Sequence, residues 1–167
     1  MHIDLNNYEY KCIVNDILSN REFKKLDGYK HHSTNRLDHS MRVSFYSYKI
    51  CKSLGLDYKS AARGGLLHDF FLNSYDGIGK KDLLLSHPLI ALYNANKHFT
   101  LNDKEIDIIK SHMFPINIKI RPKYKESYII TLVDKLACVY ERFIGCKVMT
   151  EFNVGKIMIY MFLIFSH

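Results

Sequence analysis

Apolar residues recur at helical spacing along nearly the whole chain, and this repeat constrains its fold more than any other feature. Val43, Tyr46, Ile50 and Leu54 advance by 3, 4 and 4 residues, marking one face of a long helix that Gly55 closes. No segment of four or more residues alternates with the period of two that a half-buried strand needs. The spacing predicts helices near 8–18, 37–54, 58–71, 86–98, 103–114 and 126–144. Polar residues 21–35, the glycine-punctuated stretch 73–81 and the basic, proline-containing stretch 116–125 read as loops. Ser86-His87-Pro88 has the form of a helix start, with Ser86 as N-cap and proline in the first turn. The expected fold is all-α, one domain over 1–167, with a core at about 36–140 and a hydrophobic C-terminal helix at 145–167.

A chain of 167 residues can bury one core, and a composition 47% hydrophobic and 25% charged excludes disordered and low-complexity classes. The 24 Lys+Arg against 17 Asp+Glu leave a charge of +7, which favours phosphate-bearing partners without choosing among them. Cys12, Cys51, Cys138 and Cys146 form no C-x-x-C pair, and Met1-His2-Ile3-Asp4 does not open a signal peptide. Reduced thiols in the cytoplasm are expected. The apolar run Ile157–Phe165 is nine residues long, against the ~20 that a spanning helix needs. No transmembrane segment is therefore expected; the run reads as a buried or partner-covered helix, with a membrane or homodimer contact as the alternative.

Nine histidines stand in the chain, and several fall on inward-looking helix faces. His39 lies one turn before Val43 on the apolar stripe. His68-Asp69 follows the small apolar segment Ala61-Ala62-Arg63-Gly64-Gly65-Leu66-Leu67, which permits close helix packing. Neighbouring helical residues diverge by about 100°, so His68 and Asp69 share a target only at a helix end. Asp134 shares a face with Ile130 and Ala137, where a carboxylate needs a cation, while Lys135 points elsewhere. His87 opens its helix and His112 ends another. Each residue alone suits a satisfied core histidine or a structural ion pair as well as a ligand. Five helices each presenting His or Asp inward are a different matter.

In their order, His39, His68-Asp69, His87, His112 and Asp134 resemble the HD superfamily of metal-dependent phosphohydrolases. Asn35-Arg36-Leu37-Asp38-His39 looks like that family's opening ligand helix, Leu66-Leu67-His68-Asp69 like its signature doublet, and Thr131-Leu132-Val133-Asp134-Lys135 like its closing aspartate helix. The resemblance covers roughly 36–140. It implies a helical bundle with a central metal site: His39, His68, Asp69 and Asp134 for a first ion, His87 and His112 for a second, and Asp69 bridging both. The spacing is most similar to the small two-metal proteins that split diadenosine tetraphosphate, and less similar to the enzymes that cleave cyclic di-GMP. Phe70-Phe71-Leu72 stands where many members carry Ile-Gly-Lys, which leaves that lysine's phosphate role to other residues, among them Lys80 and Lys81.

Mixed imidazole and carboxylate ligands suit divalent transition metals, Fe or Mn first, with Zn, Co and Ni as further candidates. Two such ions would lower the pKa of a bridging water, and the resulting metal-bound hydroxide would attack a phosphoester or phosphoanhydride of a nucleotide or dinucleotide. Asp69 and Lys135 are the expected catalytic residues. The expected phosphate-binding cations are Arg36, Arg42, Arg63, Arg121 and Lys135, with Lys119 and Lys123 beside Arg121. A diiron oxygenase on the same helices and a non-catalytic nucleotide sensor are the alternatives. A nucleic-acid partner is not expected, because no aromatic-basic platform or recognition helix is present.

Overall fold

The computed structural model describes residues 7–31, 34–72 and 79–144. Within them the chain forms α1 (Tyr8–Ser19), α2 (Arg21–Lys24), a 3₁₀ turn (Lys25–Gly28), strands β1 (Lys30–His31) and β2 (Thr34–Asn35), then α3 (Arg36–Ser53), α4 (Tyr58–Leu67), α5 (Lys80–His98), α6 (Asp103–Ser111) and α7 (Lys125–Ile144). The antiparallel β1–β2 pair matches Lys30 with Asn35 and His31 with Thr34. At two residues per strand, it leaves the fold all-α. Among the described residues no helix is long and apolar enough to cross a membrane. The expected C-terminal helix lies outside the described residues, as do His2, His32, Cys146 and His167.

Local chemistry sets most boundaries. Asn35 caps α3 by accepting from the Asp38 backbone N–H at 2.7 Å. Gly55, at φ 66°, ends that helix as expected, and the Leu56 N–H returns to the Cys51 carbonyl at 2.9 Å. Asn102 and Glu105 form a reciprocal capping box on α6. Asp107 Oδ2 accepts from the Lys123 backbone N–H (2.9 Å) and the Ser127 hydroxyl (2.7 Å), which fastens the loop before α7.

Three expectations need correction. Residues 21–35 are not one loop: Asn20 caps α2 through the Glu22 and Phe23 N–H groups, and Phe23 and Leu26 are fully buried. Elements this short carry no readable period. Helix α4 stops at Leu67, four residues early, because the Phe70 N–H closes a turn on the Leu67 carbonyl at 3.1 Å. Helix α5 starts at Lys80 and carries Pro88 inside it. The missing N–H of Pro88 would have bonded to the carbonyl of Leu84, a residue 41% exposed.

Helix α4 is the centre of the packing. Gly65 lets it approach α3 so closely that an added Cβ would lie 3.0 Å from the Ser44 Cα. At Gly64 an added Cβ would lie 2.8 Å from Ile108 of α6. One core cluster joins α1, α3 and α4 around Tyr10, Tyr48 and Leu66; another joins Val43, Ile108, Ile130 and Val133. The C-terminal end of α4 is thereby held among α3, α6 and α7.

Candidate metal centre

The end of α4 delivers the doublet. His68 is its C-cap and Asp69 begins the turn beyond, so the two side chains no longer diverge as they would inside a helix. His39 comes from the first turn of α3, His87 from the middle of α5, His112 from the C-cap of α6 and Asp134 from α7. All six are buried.

Their polar atoms converge. His39, His68 and Asp134 each place one ligand atom within 4.8 Å of the others, and so do His68, Asp69 and His112. His39 Nε2 lies 3.1 Å from Asp134 Oδ1, and His68 Nε2 lies 3.7 Å from the same oxygen. The two oxygens of Asp69 face apart: Oδ2 is 3.8 Å from His68 Nε2, while Oδ1 is 3.3 Å from His87 Nε2 and 3.6 Å from His112 Nε2.

Hydrogen bonds on the far side of the rings settle which nitrogens face inward as lone pairs. His68 Nδ1 donates to the Gly65 carbonyl at 2.7 Å, His87 Nδ1 to the Leu83 carbonyl at 3.2 Å, and His112 Nδ1 to the Ile109 carbonyl at 2.8 Å. A carbonyl only accepts, so each Nδ1 carries a proton, and a ring with no second proton turns an Nε2 lone pair to the cluster. His68 Nε2 is buried and makes no hydrogen bond. His87 Nε2 and His112 Nε2 face each other at 2.8 Å. Buried nitrogens placed like this fit a divalent cation.

The electrostatics agree. Burial opposes ionisation of Asp69, but His68, His87 and His112 outweigh it and hold the carboxyl well below its usual range. Asp134 is held down in the same way, against burial, by His39, His68 and Lys135. Burial, with His68 and His87 close by, pushes His112 well below the ordinary histidine value and keeps it a neutral donor. His39 differs: burial lowers its pKa, yet Asp134 and Glu141 overcome this and raise it to about 9. Without a metal it is an imidazolium between two carboxylates, whose Nε2 proton a cation would displace. The Cys138 thiol lies 3.6 Å from Asp134 Oδ1, and burial pushes its pKa up, so it is a donor rather than a thiolate ligand.

The expected cations sit less uniformly. Lys135 reaches the site, contrary to the direction read from its helical position: its long arm folds back so that Nζ donates to Asp134 Oδ2 and, at 3.0 Å, to the His112 carbonyl. Arg42 is bonded to Glu141, behind His39. Arg36 is buried, donates to the Phe71 carbonyl and stacks 3.6 Å above the Phe71 ring, beside the exit from the doublet. Arg63 is not brought to the cluster. From the middle of α4 it pairs with Asp16 of α1 (2.6 Å) and with Glu105 in the first turn of α6 (2.9 Å), which hold it there. Arg121, Lys119 and Lys123 are exposed on the loop after His112. The side chains of Lys80 and Lys81 lie outside the described residues.

Sequence reasoning missed two residues. Glu141, 1% exposed, lies two turns after Asp134 on α7 and accepts from His39 Nδ1 at 3.0 Å. The same argument that marked Asp134, a carboxylate on an inward helix face, would have found it. Phe71, noted only as a departure from the family pattern, packs its ring 5.1 Å from that of His87.

The family model for the HD domain matches residues 36–138. No curated protein and no solved structure matches the chain. Helices α3 to α7, which supply every residue of the cluster, begin or lie within that match and form the all-α bundle that it describes. The match takes in well over half of the sequence, and the chain belongs to the HD domain family, whose members are generally metal-dependent phosphohydrolases.

Proposed function

We propose that the protein hydrolyses a phosphoester or phosphoanhydride of a nucleotide or dinucleotide, with two divalent transition-metal ions, Fe or Mn, seated in the cluster. The observation that carries this reading is the division of Asp69: one oxygen toward His68, the other toward His87 and His112. A carboxylate so divided suits a bridge between His39, His68 and Asp134 on one side and His87 and His112 on the other. When bound, such ions supply Lewis acidity that makes a water acidic and steadies charge on phosphorus.

The chain's own residues do the rest. The carbonyls of Gly65, Leu83 and Ile109 fix the tautomers of three histidines, so the donors need no reorganisation on metal binding. Lys135 holds Asp134 by Oδ2, leaves Oδ1 to the histidines and the Cys138 thiol, and places a cation at the edge of the site for a phosphate oxygen. Arg121 and its neighbours offer further positive charge to the substrate on the adjoining loop. The +7 balance and the reduced Cys12, Cys51 and Cys138 suit a cytoplasmic enzyme acting on a polyanion. Residues 1–167 are read as one domain.

The deciding experiment is a hydrolysis panel of dinucleoside polyphosphates, guanosine tetraphosphate, deoxynucleotides and cyclic dinucleotides with added Mn or Fe. Metal-dependent phosphate or nucleotide release from one class is expected, and its loss in Asp69→Ala. No turnover of any class by metal-loaded protein would sink the reading.

A further inference from the structure

We propose that Glu141 is a positioning residue that makes the His39 end of the cluster the tighter of its two metal seats. This rests on the metal-centred reading above and adds an order of filling to it. Three of the four histidines are backed by neutral main-chain carbonyls: Gly65 behind His68, Leu83 behind His87 and Ile109 behind His112. His39 is backed by a carboxylate, with both Glu141 oxygens at 3.0–3.1 Å from Nδ1. A carboxylate there draws the Nδ1 proton toward itself, enriches Nε2 in electron density and makes that nitrogen a stronger metal donor than its carbonyl-backed counterparts.

One helix builds both sides of the arrangement. Asp134 and Glu141 are seven residues apart on α7, two turns on one face, so Asp134 stands before His39 and Glu141 behind it. On α3, Arg42 follows His39 by three residues and donates to Glu141 Oε1. The guanidinium draws off part of the Glu141 charge and moderates its effect on His39. The two ends of the cluster are therefore unequal. His39, His68 and Asp134 combine a carboxylate ligand with a carboxylate behind the imidazole, whereas His87 and His112 face Asp69 with carbonyls alone behind them.

Glu141 and Arg42 then act in opposite directions, which separates this role from a purely structural one. The full chain, stripped of metal, would be dialysed against graded Mn²⁺ and bound metal measured by mass spectrometry, with circular dichroism to verify folding. Wild type is expected to fill in two unequal steps. Glu141→Gln keeps an acceptor for Nδ1 but loses the charge, and should weaken the first step by about 10–100-fold while sparing the second. Arg42→Gln, which removes the Arg42 charge from Glu141, should tighten the first step severalfold. A structural ion pair would predict weaker binding from both substitutions. Two equal steps in wild type, an unchanged first step in Glu141→Gln, or weaker binding in Arg42→Gln would each overturn the proposal. Should Glu141→Gln fail to fold, Arg42→Gln alone decides. Wild type that binds no metal sinks the proposed function as well, which distinguishes that failure from the failure of this inference.

Discussion

His87 Nε2 and His112 Nε2 stand 2.8 Å apart, although each ring already donates its Nδ1 proton to a carbonyl on its own helix. Two lone pairs at this distance repel, so the packing of α5 against α6 at this point is best satisfied around a cation. His112→Ala should therefore lower metal content per chain toward that of the His39 end alone, as read by elemental analysis after equilibration with Mn or Fe. Unchanged content and an unchanged rate would remove His112 from the ligand set.

Arg36 tests whether a buried cation beside the site binds substrate or holds the chain. Its guanidinium lies 3.6 Å over the Phe71 ring and donates to the Phe71 carbonyl, and that ring packs 5.1 Å from His87. Arg36→Met should cost roughly 1–3 kcal/mol of stability by leaving a buried carbonyl with a lost partner. Chemical denaturation checks this, and metal binding at the His87 end should weaken alongside. A variant of full stability with only a raised KM would assign Arg36 to phosphate instead.

The close approach of α4 to α3 has a direct measure. A Cβ at Gly65 would meet main-chain atoms of Ser44 at 3.0 and 3.4 Å, and a helix backbone yields little. Gly65→Ala is expected to destabilise by about 1–3 kcal/mol, as overpacking does. At Gly64 an added Cβ would lie 2.8–3.0 Å from the Cγ2, Cδ1 and Cβ of Ile108, a fully buried β-branched residue whose Cβ no rotation moves, so Gly64→Ala should cost at least as much. Urea midpoints of the two variants in the opposite order would contradict this picture of the packing around α4.

Tyr10 gives the fold an alkaline limit away from the metal centre. Burial pushes its phenol up from 10 to about 12, against a smaller opposing pull from Ser44, whose Oγ accepts the Tyr10 hydroxyl at 2.7 Å. The folded chain keeps this proton where the unfolded chain has lost it. The contribution is thus whole below pH 10 and is lost as pH rises through about 12, by up to roughly 2–3 kcal/mol. Tyr10→Phe should show a flatter fall in stability over that range than wild type. Parallel curves for the two proteins would show that Tyr10 does not set the limit.

The residues of the cluster stand out in the sequence because they break local rules. His39 interrupts an apolar stripe, Asp134 places a charge between Ile130 and Ala137, and His68-Asp69 follows a segment too small to need them. Gly55 and the Asn102–Glu105 box are also local, since capping joins atoms a few residues apart. The start of α5 was misread for the complementary reason. Pro88 resembles a first-turn residue, yet α5 carries it inside, one turn after the half-exposed Leu84.

The sequence by itself determined the helices, their inward faces and the six residues that meet between them, because periodicity and burial of polar groups act over a few turns. Only the tertiary structure decided what stands behind those residues. Glu141 meets His39 across 102 positions, Lys135 folds back onto Asp134, and Arg63 is taken by Asp16 and Glu105 away from the cluster. Which charge pairs with which depends on where whole helices lie against each other, and Gly64 and Gly65 set that distance through contacts with α6 and α3.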